Sequence, residues 1–234
     1  MDPAIMQTGK QFSAVNTLQK FLLFCGILSS LVYVVANIVC AMVYEGYSAV
    51  SQTVSELSAI DAPTRPMWVS LTFFYSLFVI AFGYGVWKAA AGNRRLRIVG
   101  ALFIADAAIG FFWPPMHQRE VLGAGGGTLT DTLHIVFTFV TVPLMMLAIG
   151  FGAAAFGKRF RLYSIATLVI LVVAGIFTGI DGPKISENLP TPWIGVWERI
   201  NIGVYMLWVV VLAILLLRAE KKATFRERDG IQKK

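Results

Sequence analysis

Apolar residues run along this chain in six long blocks. They extend roughly from Phe21 to Tyr44, Met67 to Ala90, Leu96 to Trp113, Thr132 to Phe156, Phe160 to Ile180 and Ile194 to Leu217. A helix crosses the hydrocarbon of a bilayer with about 20 apolar residues, whereas a strand in a soluble core needs far fewer. The pattern therefore predicts an all-α polytopic membrane protein with six transmembrane helices in one bundle. That bundle spans residues 21–217, between an N-terminal segment of residues 1–20 and a basic tail of residues 218–234 whose last dozen residues read as disordered. The first block is too long for a signal-peptide core and lacks a small-residue cleavage site, so it reads as a retained helix.

The polar stretches between the blocks alternate in charge. The N-terminus, the second and fourth connections and the tail hold sixteen of the twenty Lys/Arg and four acids, Asp2, Glu220, Glu227 and Asp229. The first, third and fifth connections hold eight acids against Arg65, Arg119, Lys184 and Arg199. Basic loops stay on the cytoplasmic side, so both termini are expected there and the chain is expected in the cell membrane. Only 14% of residues are charged and 57% are hydrophobic, too few and too many for a soluble domain. The net charge of +7 is thus no sign of nucleic acid, because it lies in short segments flanking apolar spans. Cys25 and Cys40 share the first span about 22 Å apart, which excludes a bond between them.

Candidate chemistry gathers in the three acidic outer loops. In the first, Val50, Val54, Leu57 and Ile60 recur at helical spacing and predict a short helix along the membrane surface, with Ser51, Ser55 and Glu56 on its polar face. The second reads Met116-His117-Gln118-Arg119-Glu120, a glycine run, then Thr130-Asp131-Thr132-Leu133-His134. Thr130 or Asp131 can cap the fourth helix, and Asp131 and His134 share one face of it. The third begins near Thr178, contains Asp181, and leads into Trp193, Trp197, Glu198, Arg199, Asn201 and Tyr205; Glu198, Asn201 and Tyr205 lie on one helix face. Trp193 and Trp197 have the character of interface anchors. Asp106 stands alone in mid-span, where a carboxylate needs a polar partner, and Asn37 lies at comparable depth with Tyr33 one turn away.

Two kinds of chemistry are open to these residues. His117, Asp131 and His134 supply the three ligands of a catalytic zinc, with Glu56, Asp181 or Glu198 as spare ligand or base. Alternatively Ser55 beside Glu56, with His117 or His134 as base, has the residue types of a nucleophilic serine. Haem is disfavoured, because no histidine pair spans the core at matched depth. Asn37, Asp106, Arg119, Asp181, Arg199, Asn201 and Tyr205 would line the pocket toward a lipid or small amphiphile, with Asp106 and Asn37 as its floor. The competing functions are a hydrolase at the outer leaflet, a binding or transport protein coupled through Asp106, and a structural subunit of a membrane complex. Nothing in the sequence sets the oligomeric state.

The order of three elements resembles a family of bacterial and archaeal six-helix membrane proteins, the domain-of-unknown-function family numbered 998. They are the Ser-rich segment Tyr47–Leu57, Met116-His117-Gln118-Arg119, and Asp131 to His134. The resemblance covers about Phe21 to Leu217, implies six helices and brings no activity with it. The layout is more loosely similar to the membrane hydrolases that include the alkaline ceramidases, which imply Ser, Asp and His with zinc. Those have seven helices and three histidine ligands, where this chain has six apolar blocks and two histidines.

Overall fold

Hydropathy and capping together set the elements. The computed structural model describes residues 3–232, with side chains for residues 17–221. Its helices are α1 (Pro3–Val43), α2 (Arg65–Ala89), α3 (Arg94–Gly110), α4 (Arg119–Gly123), α5 (Leu129–Ala155), α6 (Lys158–Ser186) and α7 (Ile194–Gln232), with a 3₁₀ turn at Ser55–Ser58. Among the described residues, five helical stretches are long and apolar enough to cross a membrane: Thr17–Val43, Arg65–Ala89, Leu129–Ala155, Lys158–Ser186 and Ile194–Lys221. The remaining apolar block, Leu96 to Trp113, becomes α3, only 17 residues long. Asn93 caps it, its side chain accepting from the N–H groups of Arg95 and Leu96. Thr128 and Asp131 form a reciprocal capping box that starts α5.

The long helices close into a ring in chain order. α1 packs on α2, α2 on α3, α3 on α5, α5 on α6, α6 on α7, and α7 returns to α1. The ring is filled by Leu23, Phe82, Val86, Val99, Phe103, Ile149, Trp208 and Leu212. Trp208 is fully buried, and its indole N–H donates to Ser164 Oγ at 2.9 Å. Lipid supplies no hydrophobic drive between helices, so close backbone approach and dispersion must hold them. Small residues permit it: Gly26 lies against Phe82, Gly152 against Trp208, and Gly83 faces Gly100 where α2 crosses α3. The outer surface is apolar, as the 76% exposure of Phe139 shows. Cys25 and Cys40 are free and buried.

Three sequence expectations change. The surface helix over Val50–Ile60 is not formed; residues 45–64 run as turns around the single 3₁₀ turn. The third outer loop starts later than expected, because α6 continues through Pro183 to Ser186. The backbone of the tail is helical to Gln232, where the charge density predicts disorder.

The α2–α3 crossing is the most constrained contact. A Cβ on Gly100 would sit 2.6 Å from the Gly83 carbonyl oxygen and 2.8 Å from the Trp87 nitrogen, whereas a Cβ on Gly150 meets nothing within 4 Å. Gly100→Ala should therefore destabilise the purified protein by about 1–3 kcal/mol, and Gly150→Ala should be neutral or slightly stabilising. Thermal unfolding in detergent reads both, and equal shifts for the two variants would contradict this packing.

Candidate functional site

The first outer loop has no regular ladder, so its backbone groups need other partners. Side chains provide them. Glu56, in the 3₁₀ turn, is buried, and its Oε2 accepts from the Thr53 N–H at 2.7 Å and from Thr53 Oγ1 at 3.0 Å. The Arg119 guanidinium, at the start of α4, closes on the same carboxylate in a fork: Nε donates to Oε1 at 2.8 Å and Nη2 to Oε2 at 2.9 Å. Arg119 Nη1 also donates to Thr191 Oγ1 at 3.2 Å, and Thr191 donates to the Ser51 carbonyl at 2.8 Å. One ion pair thus ties together all three outer loops. Hydrogen bonding to Glu56 holds the Arg119 guanidinium above its ordinary pKa.

Arg199 organises the other half of the loop from the first turns of α7. Its Nη1 donates to the carbonyls of Ala49 (2.8 Å), Gly195 (3.1 Å) and Gln52 (3.2 Å). Its Nη2 reaches Tyr47 Oη at 2.7 Å, and its Nε reaches Asn37 Oδ1 at 3.1 Å. Tyr47 in turn donates to the Thr53 carbonyl at 2.7 Å. Burial pushes the Tyr47 phenol up to about 12 while Arg199 pulls it down, so the hydroxyl keeps its proton for that bond. The neighbouring Glu198 accepts the Val54 N–H. Gly195 makes the approach possible: its N–H donates to the Val50 carbonyl at 3.0 Å, and any Cβ there would overlap the carbonyl oxygens of Gln52 and Ala49.

The histidines part company. His117 turns to Asp131, its N–H donating to Oδ1 at 2.6 Å and its Nδ1 lying 2.8 Å from Oδ2. Asp131 also accepts from the N–H of Thr128, as the capping box requires. His134, three residues further along α5, is buried and points to the first loop, with Nε2 3.0 Å from Ser55 Oγ. Its Nδ1 lies 2.8 Å from the Pro114 carbonyl and 3.1 Å from Trp113 Nε1. One nitrogen cannot serve both, since the carbonyl only accepts and the indole only donates. A ring protonated on Nδ1 bonds Pro114 and leaves Nε2 to accept the Ser55 hydroxyl. A ring protonated on Nε2 accepts from Trp113 and donates to Ser55.

Three ligands for zinc are not brought together. Among the described residues no group of three His, Cys, Asp or Glu side chains converges for a metal. His117 and Asp131 form a pair, but both ring nitrogens of His134 are engaged elsewhere. The pocket floor also differs from expectation. Asn37 accepts from Arg199 through its side-chain oxygen, and no bond joins it to Asp106. Asp106 is 8% exposed, and its Oδ1 has no hydrogen-bond partner. Asp181 pairs with Lys184 at 2.7 Å one turn along α6, and Asn201 donates to the Leu171 carbonyl at 3.4 Å. A small polar cavity of about 170 Å³ does open on this face, lined by Tyr44, Glu45, Tyr47, Gln52, Glu56, Gln118 and Glu120.

Several of these contributors are not among the candidate site residues read from the sequence: Trp113, Gln118, Thr191 and Gly195, and also Tyr47, Gln52 and Thr53, which enter only through the family resemblance. The readable signal was the scarcity of outer cations. Each of the four must be satisfied, and Arg119, Arg199 and Lys184 are, as is Arg65 through the Ser58 carbonyl at 2.6 Å. For the Glu56–Arg119 pair, Glu56→Ala and Arg119→Ala should each destabilise by about 3–5 kcal/mol, because each leaves a buried charge unpaired. The double variant should fall short of the sum by about 1–3 kcal/mol. Unfolding of the purified proteins measures the cycle, and additive losses would show that the two side chains act separately.

No curated protein and no solved structure matches the chain significantly, so the looser similarity to the ceramidase-type hydrolases has no relative behind it. A family model does match, over residues 27–215, which takes in every span from α1 to α7 and all three outer loops. The chain belongs to the family described as "Protein of unknown function (DUF998)".

Proposed function

We propose that this protein is a membrane-embedded hydrolase that uses Ser55 as nucleophile and His134 as base, acting on an ester-linked lipid or small amphiphile at the outer leaflet. The observation that carries this reading is the 3.0 Å approach of His134 Nε2 to Ser55 Oγ, between residues seventy-nine positions apart. A serine hydroxyl is a weak nucleophile until an adjacent base takes its proton, and the base needs a third group to fix its tautomer. The Pro114 carbonyl fills that place for a ring protonated on Nδ1.

In the reaction, Ser55 Oγ attacks the ester carbonyl carbon while its proton passes to His134 Nε2. The imidazolium returns that proton to the departing alcohol, leaving an acyl-serine. Water then attacks the acyl carbon, again giving its proton to His134, and the carboxylic acid leaves as Ser55 regains its hydrogen. Glu56, Asp131 and Glu198 act as positioning residues: Glu56 and Glu198 hold the turn that carries Ser55, and Asp131 holds the second loop beside it through His117. Arg119 and Arg199 hold the same turn by its carboxylate and carbonyls.

The reading places α3 as the sixth span, both termini on the cytoplasmic side and the chain in the cell membrane. Its support is the closed ring in which α3 bridges α2 and α5. At about 1.5 Å per residue, α3 rises roughly 25 Å, and an oblique or locally thinned bilayer accommodates that length. A binding or transport role is the second reading, and it rests on the buried, unbonded oxygen of Asp106.

A fluorophosphonate probe applied to membranes containing the protein should form an adduct at Ser55, mapped by peptide mass spectrometry. Ser55→Ala should abolish it, and His134→Gln should slow it by roughly 10²-fold or more. An unreactive Ser55, or labelling that ignores His134, would remove the hydrolase reading, and ligand-dependent flux lost in Asp106→Asn would support the carrier instead.

A further inference from the structure

On the opposite, basic side of the bundle, α5 turns a continuous face outward. Pro143, Met146, Leu147, Gly150, Phe151 and Ala154 line it, and with Leu168 of α6 and Arg95 of α3 they border a shallow, open groove of about 590 Å³. From Pro143 to Ala154 the helix rises about 16 Å, close to the half-thickness of a ~30 Å hydrocarbon core. The groove is therefore one leaflet long. Its lining is apolar except at one end, and the space beside Gly150 is open, with nothing within 4 Å of a Cβ placed there.

That end carries two arginines. Arg95 Nη1 donates to the Ala154 carbonyl at 2.6 Å, and Arg161 Nε donates to the Ala153 carbonyl at 3.4 Å. These are last-turn carbonyls of α5, which have no partner within the helix. Each bond uses one nitrogen of its guanidinium. The other nitrogens make no hydrogen bond among the described residues, and neither arginine is in an ion pair there. Arg94 and Arg97 lie in the first turn of α3, and Lys158 and Arg159 in the first turn of α6. Two half-used guanidiniums, Arg95 lining the end of an apolar groove and Arg161 on the adjacent Ala153 carbonyl, form a site for an oxyanion attached to a chain.

We propose that this groove binds an anionic glycerophospholipid of the leaflet on the basic side, one acyl chain along α5 between Pro143 and Ala154 and its phosphate and headgroup on Arg95 and Arg161. Basic pockets between spans on this side of a membrane recognise anionic headgroups, and the arginines here are held in place by α5 itself. The site is separate from Ser55 and His134 and stands without the hydrolase reading.

Native mass spectrometry of the detergent-purified protein, titrated with dioleoyl-phosphatidylglycerol or dioleoyl-phosphatidylcholine, tests it. The wild type should retain one phosphatidylglycerol about tenfold or more tightly than phosphatidylcholine. Arg95→Gln with Arg161→Gln should bring the two lipids level. Gly150→Phe, which fills the groove and leaves both arginines in place, should reduce retention of phosphatidylglycerol to the level of the double variant. Equal retention of both lipids by the wild type would mean annular lipid only and overturn the proposal. So would a phosphatidylglycerol preference that survives either Gly150→Phe or the arginine pair.

Discussion

Backbone that leaves the helix at the edge of a bilayer must find its hydrogen bonds inside the protein, and that requirement shapes the outer face of this molecule. Residues 45–64 have almost no ladder of their own. Arg199 takes the carbonyls of Ala49 and Gln52, Arg119 reaches the Ser51 carbonyl at 3.4 Å, and Thr64 takes that of Leu57 at 2.7 Å. Glu56 and Glu198 take the N–H groups of Thr53 and Val54. The charged residues of the outer loops serve chiefly as substitutes for secondary structure. They come from α4 and α7 as well as from the loop itself, so the cap and the bundle are one unit.

That unit explains why a serine and a histidine so far apart in sequence meet. Ser55 is the first residue of the 3₁₀ turn whose second residue is Glu56, clamped by Arg119. His134 sits on the first turns of α5, whose start is set by Asp131 and whose approach to the first loop is set by Pro114. Both partners of the 3.0 Å contact are thus held by groups fixed in turn by charge-assisted bonds. On the other side of the membrane the arginines do a related task with a different result. Arg95 and Arg161 satisfy the end of α5 but keep donors in reserve, on which the proposed lipid site rests.

Five of the spans were legible because lipid imposes both length and apolarity; the block from Leu96 to Trp113 yields only the 17-residue α3. Helix ends were less so: hydropathy marks contact with lipid, not hydrogen bonding, and α6 runs past its apolar block through Asp181, Pro183 and Lys184 to Ser186. The first loop misleads for a definite reason. Val50, Val54, Leu57 and Ile60 have the spacing of a helix, but the carboxylates of Glu56 and Glu198 bind the N–H groups of Thr53 and Val54. Ser55, Glu56, Arg119, Asp131, His134 and Arg199 were legible as a set, since polar residues on one side of a bundle share a depth. Their pairing was not, because it depends on the rotation of each helix; Asn37 illustrates this, expected at the depth of Asp106 but bonded to Arg199.

The central claim is that side-chain charge holds the outer cap's backbone in place. Hydrogen–deuterium exchange of the intact protein in detergent tests it most directly, comparing wild type with Arg199→Ala and Arg199→Lys. Rapid exchange is expected across residues 49–54 in Arg199→Ala, partial protection in Arg199→Lys, and unchanged slow exchange in α2, α3 and α5. Protection of residues 49–54 that persists in Arg199→Ala would contradict it.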